Sequence, residues 1–383
     1  MIAPYRHLQN TKPLGRWRAT LAIAITFALS LALPALSAAQ IPPASDIDPA
    51  PVADAPVAAA PVANAPRESE AIVLVLPLAS AAFGRAAEAV QAGFLAAADT
   101  AKARVVVIAH ADGEVLAAFG KAKDTGARVI VGPLVRDDLK AVAGAGISLP
   151  PTVALNQLDE GAVLPDNMYS LTLTLDSDTR QLARRARDDG AATDAVIASD
   201  TPLQQRFASA FNAEWILAGG NAPVMFRFDR APEVLRTLRR DLIKTQFEAA
   251  LLAIDGADVA LAKSYVKSIP TYTSSQVNEH PSREALRDLD DVRFVDIPWL
   301  VDPDAAAFAG LKRPDYPNAA LDRLYALGVD AFHVARVIAE GAPGRLDFDG
   351  ATGRLSLDST RQFVREGRLM LFRAGQIVPA GAR

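Results

Sequence analysis

Small polar and charged side chains stand where several predicted strands end, and an open α/β sheet binds its ligands at such positions. A hydroxyl, amide or carboxylate there could bind a small polar ligand beside the free N–H groups of helix N-termini. The same residue types also cap helices and turns, and this alternative applies to every position. The candidates for a ligand cleft, including the turn after the third strand, are Ser80, Pro133, Leu134, Asn156, Asp200, Asp255, Ser274, Ser275 and Asp296.

The sequence gives little support for catalysis. Its histidines form no pair at the spacing of metal ligands, and the chain has no cysteine. It contains no Gly-x-Ser-x-Gly nucleophile elbow and no phosphate loop ending in Gly-Lys-Ser/Thr. Asp347-Phe-Asp349-Gly350 resembles the start of a calcium loop but lacks the glutamate that completes one. We therefore expect no catalytic residue, no metal and no cofactor.

Arg136 closely follows the Gly-Pro turn of the third predicted strand. An arginine at this position could hold a ligand carboxylate with two parallel hydrogen bonds. Because Asp137 and Asp138 come directly after it, a surface ion pair is the favoured interpretation.

Trp299 ends the apolar segment Val292 to Trp299, which we predict to be a strand that crosses between two lobes. A tryptophan in a crossing segment offers its large ring either to the packing of a hinge or to a partner protein. Packing is the favoured interpretation because the ring offers a large area to bury, and Trp299 is kept as a candidate for partner contact. Asp296, shortly before it, is expected at the edge of the cleft.

The first 39 residues have the parts of a secretory signal peptide. Basic residues precede the apolar run Ala19 to Leu33, and the small residues Ser37-Ala-Ala39 suit cleavage. A membrane anchor is the alternative, although the run is short for a span of ~20 residues. We expect export to the periplasm by a cleavable signal peptide. Without a cysteine to accept a lipid, we expect no lipid anchor.

Residues 40–69 repeat Ala-Pro-Val with few bulky side chains, and are predicted to form a disordered tether. The whole chain carries 40 Lys and Arg against 44 Asp and Glu, a net charge of −4. This balance argues against nucleic acid as a partner, because a phosphate backbone requires a basic face. The absence of cysteine also excludes disulfides and thiolate metal sites.

From residue 70 onwards, short unbroken apolar runs alternate with helical periodicity, which is typical of parallel strands covered on both faces. The pattern predicts an α/β fold with two doubly wound parallel-sheet lobes and a cleft between them. We assign residues 70–174 and 297–342 to lobe one, and residues 175–296 and 343–383 to lobe two. The predicted strands are 72–76, 105–108, 129–131, 152–155 and 169–174 in lobe one, and 195–198, 224–228, 249–254 and 271–274 in lobe two.

Two later segments complete the prediction. Apolar residues at helical spacing from Leu321 to Ala335 predict a long helix with one buried face, which we return to lobe one. In the tail, strands are predicted at Arg354–Leu357 and Leu369–Arg373, separated by a turn and a helix start at Asp358–Arg361. A chain that crosses several times between the lobes is expected to end on lobe two.

The order of these elements resembles the type I periplasmic-binding-protein fold, and several short sequence motifs point to one branch of it. They resemble the C-terminal domain of penicillin-binding protein activators, of the LpoA or LppC type, over about residues 70 to 376. The motifs that contain Pro-Trp and Leu-Tyr-Ala-Leu-Gly are the more specific ones. The motifs are Ile72-Val-Leu-Val-Leu-Pro-Leu78, Gln91-Ala-Gly-Phe94, Val129-Ile-Val-Gly-Pro-Leu134, Val153-Ala-Leu-Asn156, Thr271-Tyr-Thr-Ser-Ser275, Val292-Arg-Phe-Val-Asp-Ile-Pro-Trp299, Arg323-Leu-Tyr-Ala-Leu-Gly-Val-Asp-Ala-Phe332 and Gly350-Ala-Thr-Gly-Arg-Leu355.

The resemblance implies a non-catalytic protein that binds a peptidoglycan synthase, a penicillin-binding protein, and favours its active conformation. The chain differs from the family's pattern at the lipobox cysteine, which it lacks, and in having the short tether where activators have a helical-repeat domain. Ala79-Ser-Ala-Ala82 also stands where family members often have a Ser-Gly-Pro turn. The alternative function is a periplasmic solute-binding receptor, whose lobes close on a small polar ligand for an ABC transporter or a sensor.

Overall fold

The structure is a computed structural model, and it describes residues 72–159, 161–279, 283–342 and 345–381. The predicted signal peptide at 1–39 and the predicted tether at 40–69 lie outside these residues. The chain divides into two units, Met1–Ala63 and Asn64–Arg383, and all the described residues belong to the second unit. Within them, no helix has both the length and the apolar character needed to cross a membrane.

The first sheet is built from the first five strands, all parallel. Its elements are β1 (Ile72–Leu76), α1 (Gly84–Thr100), β2 (Val105–Ala109), α2 (Val115–Asp124), β3 (Val129–Val131), α3 (Arg136–Gly144), β4 (Thr152–Ala154) and β5 (Met168–Ser170). The strand order is β2-β1-β3-β4-β5. The central strands β1 and β3 are buried on both faces, since α1 covers one face while α2 and α3 cover the other.

The second sheet contains seven strands, and five of them repeat the winding of the first sheet. Its βα part comprises α4 (Leu175–Asp188), β6 (Asp194–Ala198), α5 (Pro202–Leu217), β7 (Val224–Arg227), α6 (Pro232–Lys244), β8 (Ala249–Ala253), α7 (Val259–Val266), β9 (Thr271–Thr273), α8 (Arg283–Asp288) and β10 (Val292–Asp296). These strands are parallel, in the order β7-β6-β8-β9-β10. If the parallel strands of each sheet are numbered from one in chain order, both sheets have the doubly wound order 2-1-3-4-5. The predicted fold class is confirmed.

The remaining elements connect and complete the two lobes. They are α9 (Pro298–Val301), α10 (Ala319–Ala339), β11 (Phe348–Asp349), β12 (Arg354–Leu357), β13 (Phe363–Glu366), β14 (Arg368–Arg373) and β15 (Gln376–Pro379). Strand β14 pairs antiparallel with β10, and β15 pairs antiparallel with β14. The end of the described chain therefore lies on the second sheet.

The long helix α10 packs on α1, over the first sheet, as the apolar spacing from Leu321 predicts. Two glycines allow the two backbones to approach. A Cβ on Gly93 of α1 would lie 1.9 Å from the carbonyl oxygen of Tyr325, and a Cβ on Gly328 of α10 would lie 2.1 Å from that of Val90. No side chain larger than hydrogen fits at either position, so the crossing of α1 and α10 depends on both glycines.

The hairpin β12–β13 lies between the lobes. Leu355 and Phe363 join the apolar core under α1 and α10, and Ser170 of β5 donates its N–H to the carbonyl of Arg361 at 3.0 Å. The lobe boundaries remain a prediction, and these contacts favour moving residues 345–363 from lobe two towards lobe one. The helix start predicted at Asp358–Arg361 is wrong, because those residues form the hairpin turn, where Asp358 accepts the N–H of Thr360 at 2.8 Å.

The crossing segment is shorter than the predicted strand Val292 to Trp299. Strand β10 ends at Asp296, and Pro298 begins the short helix α9. Proline favours the first turn of a helix because its φ angle is fixed and it has no N–H to satisfy there. Strand β5 likewise ends at Ser170 rather than Thr174, and Thr174 is the extended residue directly before α4.

Candidate functional site

In the first lobe, the cleft candidates use their polar groups to hold strand ends together. The Ser80 hydroxyl accepts a backbone N–H at the start of α1, at 3.1 Å. Asn156 Nδ2 donates to the Leu134 carbonyl at 2.9 Å, and the Pro133 carbonyl accepts the N–H of Leu155 at 2.9 Å. The loop after β3 is thereby fixed to the loop after β4. Each of these residues has a structural partner within the lobe.

In the second lobe, the candidates are spread over several local contacts. Asp200 forms an exposed ion pair with Arg227 at 2.8 Å, and Asp255 caps a short helical turn by accepting a backbone N–H at 3.0 Å. Ser275 offers its backbone carbonyl to an arginine of α10 at 3.0 Å. Ser274 is buried, and its hydroxyl has no partner within the described part of the chain.

Asp296 is the candidate with the richest set of contacts. It is 1% exposed, and Arg323 of α10 holds both of its oxygens, with Nε to Oδ1 at 3.0 Å and Nη2 to Oδ2 at 2.9 Å. Asn278 donates a further hydrogen bond to Oδ2 at 2.9 Å, and Arg323 also pairs with Glu279. Because Asp296 ends β10 and Arg323 lies on α10, this cluster joins the two lobes. We call Asp296, Arg323 and Glu279 the first brace.

A second cluster joins the lobes farther along α10. Asp330 accepts the N–H of Ala351 at 2.7 Å, and the N–H and hydroxyl of Thr352 at 2.7 and 2.6 Å. Arg365 of β13 donates to the Thr352 carbonyl at 3.1 Å and forms a buried ion pair with Asp178 of α4. We call Asp330, Thr352, Arg365 and Asp178 the second brace. It runs from a helix of one lobe to a helix of the other.

The Gly350-Ala-Thr-Gly-Arg motif takes its shape from this second brace. A Cβ on Gly350 would lie 2.6 Å from Asp330 Oδ1, so the turn can close on the carboxylate only if position 350 is glycine. Gly353 has a φ of +139°, and a Cβ there would lie 2.3 Å from the carbonyl oxygen of Glu366. The motif is therefore a carboxylate-binding turn that serves the fold.

The ionisation of Asp330 should make the free energy of unfolding depend on pH. Burial raises the pKa of this carboxyl from 3.8 to about 6, against the opposing effect of its hydrogen bonds. A carboxyl whose pKa is higher in the folded state than in the unfolded chain destabilises the fold as it ionises, so its contribution falls as pH rises from about 4 to about 6. Asp330→Asn cannot ionise. Its free energy of unfolding, relative to the unchanged protein, should therefore rise across that window by about 2 to 3 kcal/mol.

Urea unfolding of both proteins at about pH 4 and about pH 7 measures this difference. Asp188→Asn controls for the loss of one negative charge, since Asp188 is also an aspartate in a helix but is exposed, on α4. A relative stability of Asp330→Asn that is equal at the two pH values would contradict the raised pKa.

Trp299 is a packing residue. Its side chain is fully buried against Phe308 and Tyr325, with ring centroids 5.4 and 5.0 Å away, and the Arg313 guanidinium lies 3.8 Å from the ring centroid. Partner contact, the less favoured interpretation from the sequence, is not open to a side chain with no exposed surface. Its indole N–H has no acceptor within the described residues.

A cavity of about 910 Å³ opens between the loop after β4, the helices α4 and α5, and the β12–β13 hairpin. We call this cavity the groove. None of the nine cleft candidates from the sequence lines it. Its floor is one face of α5, from Arg206 through Ser209 and Ala213 to Leu217, at helical spacing. Ser177, Arg180 and Arg184 of α4 line it as well.

The charges of the groove are mostly paired. Arg184 binds Glu214 at 2.9 Å, Arg206 holds both oxygens of Asp176, and Arg136 lies 3.7 Å from Asp159. Arg136 thus forms a surface ion pair, as favoured from the sequence, but its partner is Asp159 and not the neighbouring Asp137 or Asp138. Arg180 is exposed and pairs with no carboxylate in the part of the chain that the structure describes.

Among the described residues, no group of three or more His, Asp or Glu side chains could hold a metal ion. His110 is buried, with Nδ1 3.0 Å from the Ala111 carbonyl oxygen. Burial lowers the pKa of His333, which packs on Phe348 with ring centroids 4.2 Å apart. Neither histidine lines the groove.

Apart from Asp296, sequence reasoning missed the charged residues that join the lobes. Arg323, Asp330 and Arg365 are charged residues within otherwise apolar or alternating segments, and such positions indicate buried pairing. Asp330 lies between Val329 and Ala331 in a helix whose face is buried, which is the signal that could have found it. Its partners could not be identified, because they lie in a turn and a strand remote along the chain.

Comparison with known proteins places this arrangement in a family. The family model described as "LppC putative lipoprotein" matches residues 64–375. Among curated proteins, the penicillin-binding protein activator LpoA of Mannheimia succiniciproducens is 28% identical over 275 residues, which cover 68% of this chain and 47% of that protein. The chain spans about half the length of the curated relatives it matches, from 47% to 54% in the first three.

Solved structures show the same fold. The C-domain of LpoA from Haemophilus influenzae, described as a regulator of PBP1A, superposes with a TM-score of 0.70 at 23% identity, over 81% of this chain and 99% of that domain. A protein from Chromobacterium violaceum, described as a "putative branched-chain amino acid ABC transporter", has a TM-score of 0.69 at 32% identity, over 78% of this chain and 99% of its own. Since the family model covers most of the chain and every element from β1 to β14, this protein belongs to the LppC family.

Proposed function

We propose that this protein binds a peptidoglycan synthase of the penicillin-binding protein class in the periplasm and regulates it, without catalysing a reaction itself. Membership of the LppC family carries the proposal, because curated relatives are named penicillin-binding protein activators. An activator works by binding the active conformation of its target more tightly than the inactive one. That role requires a surface of defined shape and no catalytic group.

The two braces support a role for the outer surface. Both contain a buried ion pair, Asp296 with Arg323 and Asp178 with Arg365. Separating either pair would leave an uncompensated charge in the interior, at a cost of about 3 to 5 kcal/mol. The lobes are therefore held in one arrangement, and a partner would meet a rigid body.

An apolar patch beside the groove provides a surface for the synthase. Ile216 and Leu217, at the end of α5, are 54% and 82% exposed, and Val224 and Met225 of β7 are 43% and 50% exposed. Asn212 Nδ2 lies 3.3 Å from Met225 Sδ, which brings α5 and β7 together in this patch. Contiguous exposed apolar residues mark interaction sites on soluble proteins. We place the synthase contact here.

Leu217→Glu should weaken binding of the synthase at least about tenfold, because a carboxylate at the centre of an apolar contact must lose its hydration. Surface plasmon resonance with the full chain and a detergent-solubilised penicillin-binding protein of the same cell measures the affinity. The rate of glycan polymerisation by that synthase, with and without the chain, measures regulation.

Ile243→Glu is the matched control, because Ile243 is 75% exposed but lies on α6, which packs on the opposite face of the second sheet. Equal loss of affinity in both variants would place the contact elsewhere. An unchanged polymerisation rate together with no measurable binding would refute the proposed function itself.

A solute receptor is the second candidate, favoured by the groove and by the likeness to the Chromobacterium violaceum protein. A volume of about 910 Å³ is ample for a small polar ligand. A ligand that binds the folded state raises the melting temperature by mass action, so thermal unfolding against amino acids, peptidoglycan fragments and small carboxylates separates the two functions. A shift that Arg180→Ala abolishes would favour the receptor.

A further inference from the structure

Strand β2 forms an open edge of the first sheet. It pairs only with β1, and its outer side has no strand partner in the part of the chain that the structure describes. Its sequence is Val-Val-Val-Ile-Ala, and all five residues are half-buried or exposed. An apolar edge without proline or charge within the strand is a ready template for another strand.

The direction of the backbone groups can be read from the pairing with β1. His110 donates its N–H to the Leu76 carbonyl at 3.1 Å, so by alternation Val106 and Ile108 also face β1. The N–H and C=O groups of Val105, Val107 and Ala109 therefore face outward. These are the groups that a further strand would bind.

The other edges of the two large sheets are protected. At β5, Ser170 donates its N–H to Arg361 of the β12–β13 turn. Strand β15 contains Pro379, and β7 contains the charged Arg227. Proline and charge are the features by which proteins discourage strand addition. Among these edges, β2 alone lacks such protection.

The charges that flank β2 determine which strand it fits. Lys102 and Arg104 precede the strand and Asp112 and Glu114 follow it, and all four residues are exposed. In an antiparallel pair of two β2 strands, the basic end of each copy meets the acidic end of the other. A parallel pair would place like charges together, which is unfavourable.

One register satisfies both the charges and the backbone. If Val107 of one copy faces Val107 of the other, the outward groups of Val105 lie opposite those of Ala109, as a hydrogen-bonded antiparallel pair requires. Lys102 and Asp112 are equally distant from Val107 along the chain and lie in the turns before and after the strand, so each lysine comes to the same end of the pair as the other copy's aspartate.

We propose that β2 is the self-association edge of this protein, through which two copies pair antiparallel about a two-fold axis at Val107. The two five-stranded sheets would become one continuous sheet, closed by symmetry so that no further copy can add. The strand that adds to β2 is the β2 strand of a second copy, because the basic and acidic ends of β2 complement each other in an antiparallel pair.

Sedimentation equilibrium of the full chain tests the proposal, with a concentration-dependent monomer and dimer as the expected result. Val107→Pro removes an N–H that faces outward and makes no bond to β1, so the fold should persist while the dimer weakens at least about tenfold. Met225→Pro is the matched control. It removes an N–H that faces outward from β7, an edge strand of the second sheet, and should leave the dimer unchanged.

Charge reversal gives a second test that does not touch the strand. Lys102→Glu alone should weaken the dimer about tenfold, and Lys102→Glu combined with Asp112→Lys should restore it. The dimer should also weaken at high salt, because the flanking charges are exposed. A chain that stays monomeric up to about 100 μM would overturn the proposal, since a pair with a Kd of about 1 μM would be largely dimeric at that concentration. A dimer that Val107→Pro and Lys102→Glu both leave unaltered would overturn it too.

Discussion

Gly93→Ala should lower the free energy of unfolding by more than about 3 kcal/mol, although alanine is the best helix former. The added Cβ would lie 1.9 Å from the carbonyl oxygen of Tyr325 and 2.8 Å from its carbonyl carbon, both backbone atoms of α10. No side-chain rotation relieves a clash with a backbone, so α1 and α10 would separate and lose contacts in the core they share. Urea unfolding followed by circular dichroism measures the change.

Gly120→Ala is the control for this substitution. Gly120 lies within α2, and a Cβ there would meet no atom within 4 Å. Alanine should therefore stabilise the protein by up to about 1 kcal/mol through its helix propensity. Gly328→Ala should behave like Gly93→Ala, because its Cβ would lie 2.1 Å from the Val90 carbonyl oxygen. Stabilisation at Gly93 as well as at Gly120 would show that the helices do not cross this closely.

Arg323→Ala should lower the free energy of unfolding by about 3 to 5 kcal/mol. The substitution leaves the Asp296 carboxylate, 1% exposed, without the cation that holds both of its oxygens. Arg323→Lys should recover little of this loss, because an ammonium cannot donate two parallel hydrogen bonds to one carboxylate. The measurement is again the urea midpoint at neutral pH.

An exposed ion pair of the same composition is the control. Arg227 and Asp200 lie 2.8 Å apart, but their side chains are 60% and 66% exposed, so Arg227→Ala should cost less than about 1 kcal/mol. Replacing both members of the buried pair, Arg323→Met with Asp296→Asn, should cost less than Arg323→Ala alone because the buried charge is removed. Equal losses for Arg323→Ala and Arg227→Ala would mean that the first brace is no stronger than a surface pair.

Much of the fold can be predicted because parallel strands buried on both faces leave a continuous apolar run in the sequence. Ile72–Leu76 and Val129–Val131 have this form, and both are strands with the predicted bounds. The long helix was predicted from the same kind of evidence, the spacing of apolar residues after Leu321. The crossing segment was predicted too long at Trp299, since proline can begin a helix as well as follow a strand.

The partners of the candidate site residues and the groove could not be predicted, for a physical reason. Strand ends can be located from local pattern, but whether Asn156 faces a ligand or the Leu134 carbonyl depends on how two loops meet. The groove likewise is lined by faces of α4 and α5 whose sequence pattern is that of any solvent-exposed helix surface. Arg180 and Leu217 carry no local signal that distinguishes them from other exposed residues of these helices.

The two braces also fix the number of residues between Arg323 and Asp330 on α10. Arg323 and Asp330 belong to different braces, and both lie on α10, Ala319–Ala339, about two helical turns apart. Inserting or deleting one residue between them would rotate one brace relative to the other by about 100° around the helix axis. Only one of the two carboxylate clusters could then keep its partners. Substitutions between Arg323 and Asp330 should therefore be tolerated far better than insertions or deletions in the same part of α10.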